Sequence, residues 1–410
     1  MWNKNFLLLW FGQAISQIGN RIYVMALAWY IVAVMNSPGK MIVLFIISSL
    51  PSLLFGTLIG PLVEKWNKKR VIVVCDIISG CLTALLALMI HFGYNWLWLI
   101  YLVCFLLNTV NLFFSPSVNS ILPTIIPADH YRQGTSLMKM MTFLSQIMGA
   151  AVGGMLVGFF GVFWSIAINA ASFFISALMS AFVTFVPSAV TAAGKYFSDI
   201  KEGFRYLSRD RMLSGTLAIA VTVNLFLPSF IVLVPIIIKN GLNLDAVHYG
   251  IVDAAIPIGA VLVSLLLSLQ KKKGNANPMK TLALSIAGIA LVYVLVSAFR
   301  NFTTVLLAGM VFGFLSNNVN IKVLSYFIEK VEPQFRGRVF SLLESLSYAS
   351  ISVSYIIVSI LSSKFDIYVV LLVNGVCLLI IAAASMLIMT KTRKQIKLNN
   401  LNVKNRLPRL

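Results

Sequence analysis

The chain has 410 residues, of which 59% are hydrophobic and 11% are charged, and its mean hydropathy is +0.92. A soluble domain carries about 25% charged residues, so this composition excludes an ordinary soluble protein. The net charge of +20 does not indicate a nucleic-acid partner, because the basic residues form short clusters between apolar runs, as they do at a membrane surface.

Twelve apolar runs are each long enough to cross about 30 Å of hydrocarbon. Charge clusters and Pro, Gly or Asn turns mark their ends. Numbered in chain order, the predicted spans of the first half cover 6–34, 41–63, 71–91, 96–114, 135–159 and 163–186. Those of the second half cover 213–238, 248–269, 281–299, 302–328, 338–363 and 367–390. The predicted fold class is an all-α membrane protein with two pseudo-symmetric six-helix bundles.

The basic residues orient these spans. With the N-terminus inside, most of the 32 Lys and Arg residues fall on the inner side, and the outer loops keep only Lys40, Lys239, Arg300 and Lys364. Cationic loops stay on the cytoplasmic side, so both termini are predicted to be cytoplasmic in a multi-pass, bacterial-type cell membrane protein.

The longest inner loop divides the chain into residues 1–186, a linker at 187–212, residues 213–390 and a basic tail at 391–410. Within the linker, Phe197, Ile200, Phe204 and Leu207 would share one helical stripe, which predicts an amphipathic helix lying on the inner leaflet. We favour a tether between the halves over a regulatory partner site.

A basic turn after span 2 reads GPLVEKWNKKR, from Gly60 to Arg70, and QKKKGNANPMK at 270–280 echoes it after span 8. The first turn resembles the signature loop of the major facilitator superfamily, with Gly60, Glu64, Lys65, Lys68 and Lys69 at matching positions. Asn67 stands where the family usually has glycine. The resemblance implies that this loop acts as a conformational latch on the inner face.

Three further segments resemble exporters of that superfamily, and the first and third of them resemble its macrolide-efflux and siderophore-exporter branch. They are KNFLLLWFGQAISQIGNRI (4–22), SQIMGAAVGG (145–154) and QFRGRVFSL (334–342). The glycines of the second segment are similar to an exporter pattern, and plain helix packing explains them equally well.

Five ionisable residues lie within the predicted spans, where each needs a partner, a water-filled cavity or a neutral state. At 1.5 Å per residue, Arg21 and Asp253 lie at similar depths, and so do Lys322 and Glu344. We therefore expect the first pair to meet across the halves when the outside is closed, and the second to pair between neighbouring helices. Snorkelling remains an alternative for Arg21 and Lys322.

Two carboxylates are candidates for proton coupling, Asp253 first and Glu344 second, because an antiporter needs a carboxylate that titrates as its cavity alternates. Asp76 is instead expected to pair with the bases of the Gly60–Arg70 turn.

Amides form a polar lining on spans 1, 4, 7 and 10, which line the central cavity in the superfamily. On span 1, Gln13, Gln17 and Asn20 follow a helical repeat with Ser16. The other predicted cavity residues are Asn108, Asn111, Asn224, Asn317 and Asn320. Bonding between helices is the alternative role for any one of them.

These features favour a secondary active exporter, an H⁺ antiporter of an amphipathic, macrolide-like drug or of a peptide-like or siderophore compound. A nucleotide-driven pump is disfavoured because no Gly-x-x-x-x-Gly-Lys-Ser/Thr loop is present. The scattered histidines disfavour an enzyme, and no cofactor or metal is expected. A lipid flippase or a transporter-like receptor is the alternative. Beyond substrate, protons and lipid we expect no partner, and the chain is expected to act as a monomer.

Overall fold

The computed structural model of the chain describes residues 3–64, 66–184, 196–269 and 278–406. Twelve of its helical segments are long and apolar enough to cross a membrane, and the described ranges contain no β-strand, so the predicted fold class is confirmed. Spans 1 to 6 are Lys4–Val34, Pro38–Glu64, Lys68–His91, Leu97–Ile125, Tyr131–Phe160 and Val162–Ala181. Span 7 consists of Arg211–Asn224, Leu227–Ile236 and Ile237–Gly241. Spans 8 to 12 are Ala246–Leu269, Pro278–Ala298, Phe302–Lys330, Pro333–Ser362 and Ile367–Arg406.

Short polar side chains begin several of these spans. Asn3, Asn67 and Asn301 each accept a hydrogen bond from a backbone N–H three residues later, and Asp210 accepts from Met212 and Leu213. Such N-caps satisfy donors that a helix start leaves unpaired. These capping residues mark where the helices begin, which the apolar pattern alone does not define well.

Span 4 is longer than its predicted extent of 96–114. It runs to Ile125 with Pro116 and Pro123 inside the helix. Proline lacks the N–H that continues a helix and therefore ordinarily marks a helix end. Packing against neighbouring helices lets a membrane-spanning helix contain proline. Next to these prolines, Ser117 and Thr124 donate to the carbonyls of Phe113 and Ile121 in the same helix.

The two halves repeat an unusual turn on the same side of the bundle. Spans 1 and 7 both end in a π-helical turn, at Tyr30–Val34 and Ile237–Gly241. Two residues later, Asn36 and Asn243 adopt positive φ angles of 46° and 54°. Asparagine is one of the few residues that tolerate this left-handed backbone. The match supports an internal repeat, which the echo at 270–280 cannot, since residues 270–277 lie outside the described part.

We call the side where span 1 begins and span 12 ends the terminal side, and the opposite side the far side. The halves contact each other through spans 5 and 8 and through spans 2 and 11. At the first contact, a Cβ on Gly154 would lie 2.8 Å from the Cα of Gly250. At the second, Ser352 donates to Ser49 over 3.0 Å. These contacts lie in the far half, so the bundle is closed there.

The linker forms a helix at Tyr196–Ser208 that docks on the C-terminal half. Glu202 pairs with Arg338 at 2.6 Å, and the rings of Tyr206 and Phe335 stack with centroids 4.4 Å apart. Leu207 is 1% exposed whereas Phe204 is 61% exposed. The predicted common membrane-facing stripe is therefore wrong for Leu207, because this helix packs against span 11. The side chains of Phe197 and Ile200 and those of the tail at 391–410 lie outside the described part.

Candidate functional site

A cavity of about 600 Å³ lies within the N-terminal half. Spans 1 to 6 all contribute to its wall, and most of the lining comes from spans 1, 4 and 5. Asn111, Ser115, Asn119 and Lys139, which border it toward the terminal side, are exposed. The cavity is thus open toward the terminal side and ends below the far-side contacts.

Five of the predicted cavity amides border this space: Gln13, Gln17, Asn20, Asn108 and Asn111. Asn108 donates to the Cys104 carbonyl of its own helix, and the Gln13 Nε2 atom is buried without a hydrogen-bond partner. Aromatic rings of Phe45, Phe114 and Phe173 complete the wall. A pocket that mixes rings with a few amides suits an amphipathic molecule, and the binding role of each amide stays a prediction.

Arg21 and Asp253 meet across the two halves. The Nη2 atom of Arg21 lies 2.5 Å from Oδ1 of Asp253, and their side chains are 27% and 5% exposed. The structure thus brings together the two side chains that their equal depth in the membrane predicts to meet. Arg21 also borders the cavity, and its Nε atom, like Oδ2 of Asp253, is buried without a partner. The pair is therefore the charged part of the far-side closure and touches the cavity floor.

Asp76 has a different partner from the one expected. It is 1% exposed, borders the cavity, and accepts a hydrogen bond of 2.8 Å from Ser176 Oγ on span 6. The expected pairing with loop bases is wrong for the bases that the structure describes, and none of them reaches Asp76. The reason is geometric, because Asp76 lies on the span 3 face toward span 6, while Lys68 donates to the carbonyls of Val63 and Trp66.

The remaining predicted cavity amides lie in the C-terminal half, away from the large cavity. Asn224 and Asn320 border a smaller space of about 210 Å³, and Asn224 donates to Ser347. Asn317 borders neither space, because its Nδ2 donates to the Ala260 carbonyl and to Ser264 on span 8. For Asn317 the alternative role, bonding between helices, is the one observed.

Lys322 and Glu344, both of which the structure describes, form no ion pair with each other. Lys322 is half-buried on span 10 and Glu344 is exposed on span 11. Span 10 packs on spans 8 and 9, whereas span 11 packs on spans 2 and 7 and the linker helix. The expected pair is therefore wrong for this conformation: equal depth does not put two residues at the same place around the bundle.

The signature turn can be described only in part. Lys65, the surroundings of Gly60 and the side chain of Glu64 lie outside the described part, so the latch role of these residues stays a prediction. Lys69 is half-buried, and Trp66 at the turn stacks on Phe113 of span 4 with centroids 5.7 Å apart. The glycine-rich segment of span 5 places Gly149 against Arg21 and Gly154 against Gly250. Gly250 and Ser176, which lie at the contacts just described, are not among the predicted site residues.

Comparison with known proteins identifies the family. The family model described as a transmembrane secretion effector of the major facilitator type matches residues 1–409. Macrolide efflux protein A of Streptococcus pyogenes is 22% identical over 93% of this chain and 95% of its own. The multidrug efflux pump Tap of Mycobacterium bovis (strain BCG / Pasteur 1173P2) is 25% identical over 84% of each chain. The solved nucleoside transporter NupG superposes with a TM-score of 0.74 at 16% identity, covering 94% of this chain and 98% of its own. All of these are membrane transporters and not enzymes, and the chain belongs to the transmembrane secretion effector family of the major facilitator superfamily.

Proposed function

We propose that the protein exports an amphipathic small molecule by H⁺ antiport, through alternating access of the cavity to the two sides of the membrane. The observation that carries this proposal is the asymmetry of the cavity, which opens on the terminal side and is closed on the far side by contacts between the halves. A site between two halves that rock against each other is the general plan of secondary transporters.

The direction of transport follows from the distribution of charge. The terminal side carries most of the basic residues, so we assign it to the cytoplasm and the far side to the exterior of the cell membrane. The structure then corresponds to the state that loads substrate from the cytoplasm. Release requires the far-side contacts to separate, and Arg21 must leave Asp253 in that step.

The proposed substrate is a macrolide-like compound. Peptide-like compounds and siderophores are the other classes that the experiment below includes. The wall combines amides with aromatic rings, and about 600 Å³ falls within the range of sites that bind drug-sized ligands. The efflux proteins to which the chain is similar are named for macrolides and for multiple drugs. A flippase or receptor would instead respond to lipid or ligand without moving solute along an ion gradient.

The decisive experiment uses everted membrane vesicles from a host that expresses the full chain. Respiration acidifies the vesicle interior, so an H⁺ antiporter accumulates its substrate inside. Uptake of a labelled macrolide, a siderophore and a peptide-like compound is measured with and without an uncoupler, and vesicles without the protein are the control. We expect uptake of at least one compound that the uncoupler abolishes. Uptake that survives the uncoupler, or no uptake of any class, contradicts the proposal.

A further inference from the structure

Span 6 carries a stripe of polar residues that faces the inside of the N-terminal half. Its members are Ser165, Asn169, Ser172, Ser176 and Ser180, and all are at most 4% exposed. Their spacing of three or four residues puts them on one helix face. At 1.5 Å per residue the stripe covers about 22 Å, most of the hydrocarbon thickness. Polar groups therefore extend through this half from near one membrane surface to near the other.

Spans 1 and 3 complete the polar surface opposite this stripe. They contribute Gln13 and Ser16 from span 1 and Asp76, Ser79 and Thr83 from span 3, each at most 6% exposed. The helices approach closely, since a Cβ on Gly19 would lie 2.3 Å from the Ser172 hydroxyl. We call these ten residues the polar seam.

The seam contains polar atoms that the protein leaves without partners. Gln13 Nε2, Asn169 Nδ2 and Ser180 Oγ are buried and make no hydrogen bond. An unpaired buried polar atom costs about 1–3 kcal/mol, so three of them in one packed region need an explanation other than helix packing. Small hydrogen-bonding guests such as water satisfy groups of this kind and also conduct protons.

Asp76 is the acidic group of the seam, and none of the basic side chains that the structure describes forms an ion pair with it. Its hydrogen bond comes from the neutral hydroxyl of Ser176. Span 6 holds no titratable residue. On span 3, Cys75 is the titratable residue next to Asp76. The titratable groups that border the same cavity are Arg21, Tyr23, Cys104 and Lys139. Arg21 is engaged by Asp253, and Lys139 is exposed at the cavity mouth. A buried carboxylate in hydrocarbon requires compensation, and a proton is the cation that fits this site.

We propose that Asp76 binds and releases the exchanged proton, and that the polar seam is the route by which the proton reaches it. This inference rests on the proposed antiport and assigns its proton site to a residue other than Asp253, whose charge Arg21 balances. The proton adds to a carboxylate oxygen of Asp76, forming one O–H bond. That bond breaks when substrate enters the adjoining cavity, and the proton leaves to water on the terminal side.

The test reads the carboxyl group itself in the full-length protein reconstituted in lipid. Infrared difference spectra across a pH titration report the C=O band of a protonated carboxyl. We expect a titrating band that is absent in Asp76→Asn and retained in Asp253→Asn. Ser176→Ala should move the band to higher wavenumber, because the carboxyl loses its hydrogen bond. Asn169→Leu should slow hydrogen–deuterium exchange of this carboxyl at least tenfold, because it interrupts the seam.

Two outcomes overturn the inference, and neither depends on transport. Either the band persists in Asp76→Asn, or the wild-type protein shows no titrating carboxyl band at all. Folding of Asp76→Asn is checked by thermal unfolding, and the isosteric amide still accepts the Ser176 hydrogen bond. Vesicle uptake that does not depend on the pH gradient contradicts the antiport proposal but does not change the spectroscopic result. The failure of the antiport proposal and the failure of the Asp76 assignment are therefore distinguishable.

Discussion

Spans 1 and 7 end in matching turns on the far side, yet the amides they carry have opposite surroundings. Aligning Asn36 with Asn243 places Gln17 opposite Asn224. Gln17 borders the large cavity, whereas Asn224 donates to Ser347 of span 11. The same polar position therefore borders the large cavity in one half, whereas in the other it borders a much smaller space and joins two helices.

The break in span 7 shows the same difference. The helix stops between Asn224 and Leu227, and the Tyr293 hydroxyl of span 9 lies 3.0 Å from the carbonyl oxygens of both Phe226 and Leu227. The Tyr293 ring also stacks on Phe230. Exposed carbonyls at a helix break can form an ion site, but here a buried side chain occupies them. The carbonyls at this break are thus satisfied from within the C-terminal half, whereas the large cavity lies in the N-terminal half.

The largest expected effect comes from the charge pair that joins the halves. Asp253→Asn should abolish gradient-driven uptake in everted vesicles, because the far-side closure loses its ion pair. It should also destabilise the protein by about 3–5 kcal/mol, because the Arg21 charge is left uncompensated. The matched control is Asp129→Asn, an exposed acid between spans 4 and 5. Uptake by Asp253→Asn at the wild-type rate contradicts the gating role.

A double substitution separates stability from gating. Arg21→Met with Asp253→Leu removes both charges, and replacing a buried ion pair by apolar groups is often neutral for stability. We expect thermal unfolding close to that of the wild type with uptake still lost. If uptake returns together with stability, the pair has a structural role alone.

The next effect concerns the contact between spans 5 and 8. Gly154→Val should weaken far-side closure, since even a Cβ there would lie 2.8 Å from the Gly250 backbone. The population should shift toward the far-side-open state. A membrane-impermeant thiol reagent added on the far side should then label a cysteine placed at Asn20, on the cavity floor, at least tenfold faster. Gly215→Val is the control, because a Cβ at Gly215 meets no atom within 4 Å. Equal labelling in both variants would show that this contact does not set the closed state.

A pair of asparagines tests the contrast between the halves directly. Asn111 is exposed to the large cavity, whereas Asn317 donates to Ala260 and Ser264. Asn111→Leu should raise KM about threefold to tenfold without changing stability, since one hydrogen bond is worth about 0.5–1.5 kcal/mol. Asn317→Leu should lower the free energy of unfolding by about 1 kcal/mol with KM unchanged. The reverse pattern would place the cargo in the C-terminal half.

Sequence patterns predicted the fold well and the site unevenly. The hydropathy and charge clusters defined twelve spans because the bilayer fixes both length and polarity. Depth along a span brought Arg21 to Asp253 but failed for Lys322 and Glu344, since depth carries no information on position around the bundle. Ser176, the partner of Asp76, belongs to a polar stripe on span 6 that can be seen in the sequence. The expectation that an acid pairs with a base pointed to the loop lysines instead. Span 4 continues past its predicted end at 114, because the tertiary packing that allows Pro116 inside a helix is not encoded in the local sequence.

The smallest expected effect lies in the far-side turn before span 8, where the halves start their second spans differently. Span 2 begins at Pro38, whereas Asp245 precedes span 8 and accepts hydrogen bonds from the backbone N–H of His248 at 3.1 Å and from its ring Nδ1 at 2.6 Å. The side-chain hydrogen bond from His248 holds the pKa of Asp245 below its ordinary value. A carboxyl with a lowered folded-state pKa adds stability above its unfolded pKa, and this stability is lost as the pH falls through the folded-state pKa.

Asp245→Asn keeps a helix-capping side chain but removes this charge. Because the pair is largely exposed, we expect a loss of at most about 1 kcal/mol near neutral pH. The difference from the wild type should shrink as thermal unfolding is followed from about pH 7 to about pH 3, across the ordinary range of carboxyl groups. Asp129→Asn, whose carboxyl has no such hydrogen bond, should show no comparable trend. A difference that stays constant on acidification would mean that Asp245 acts through its cap geometry and not through its charge.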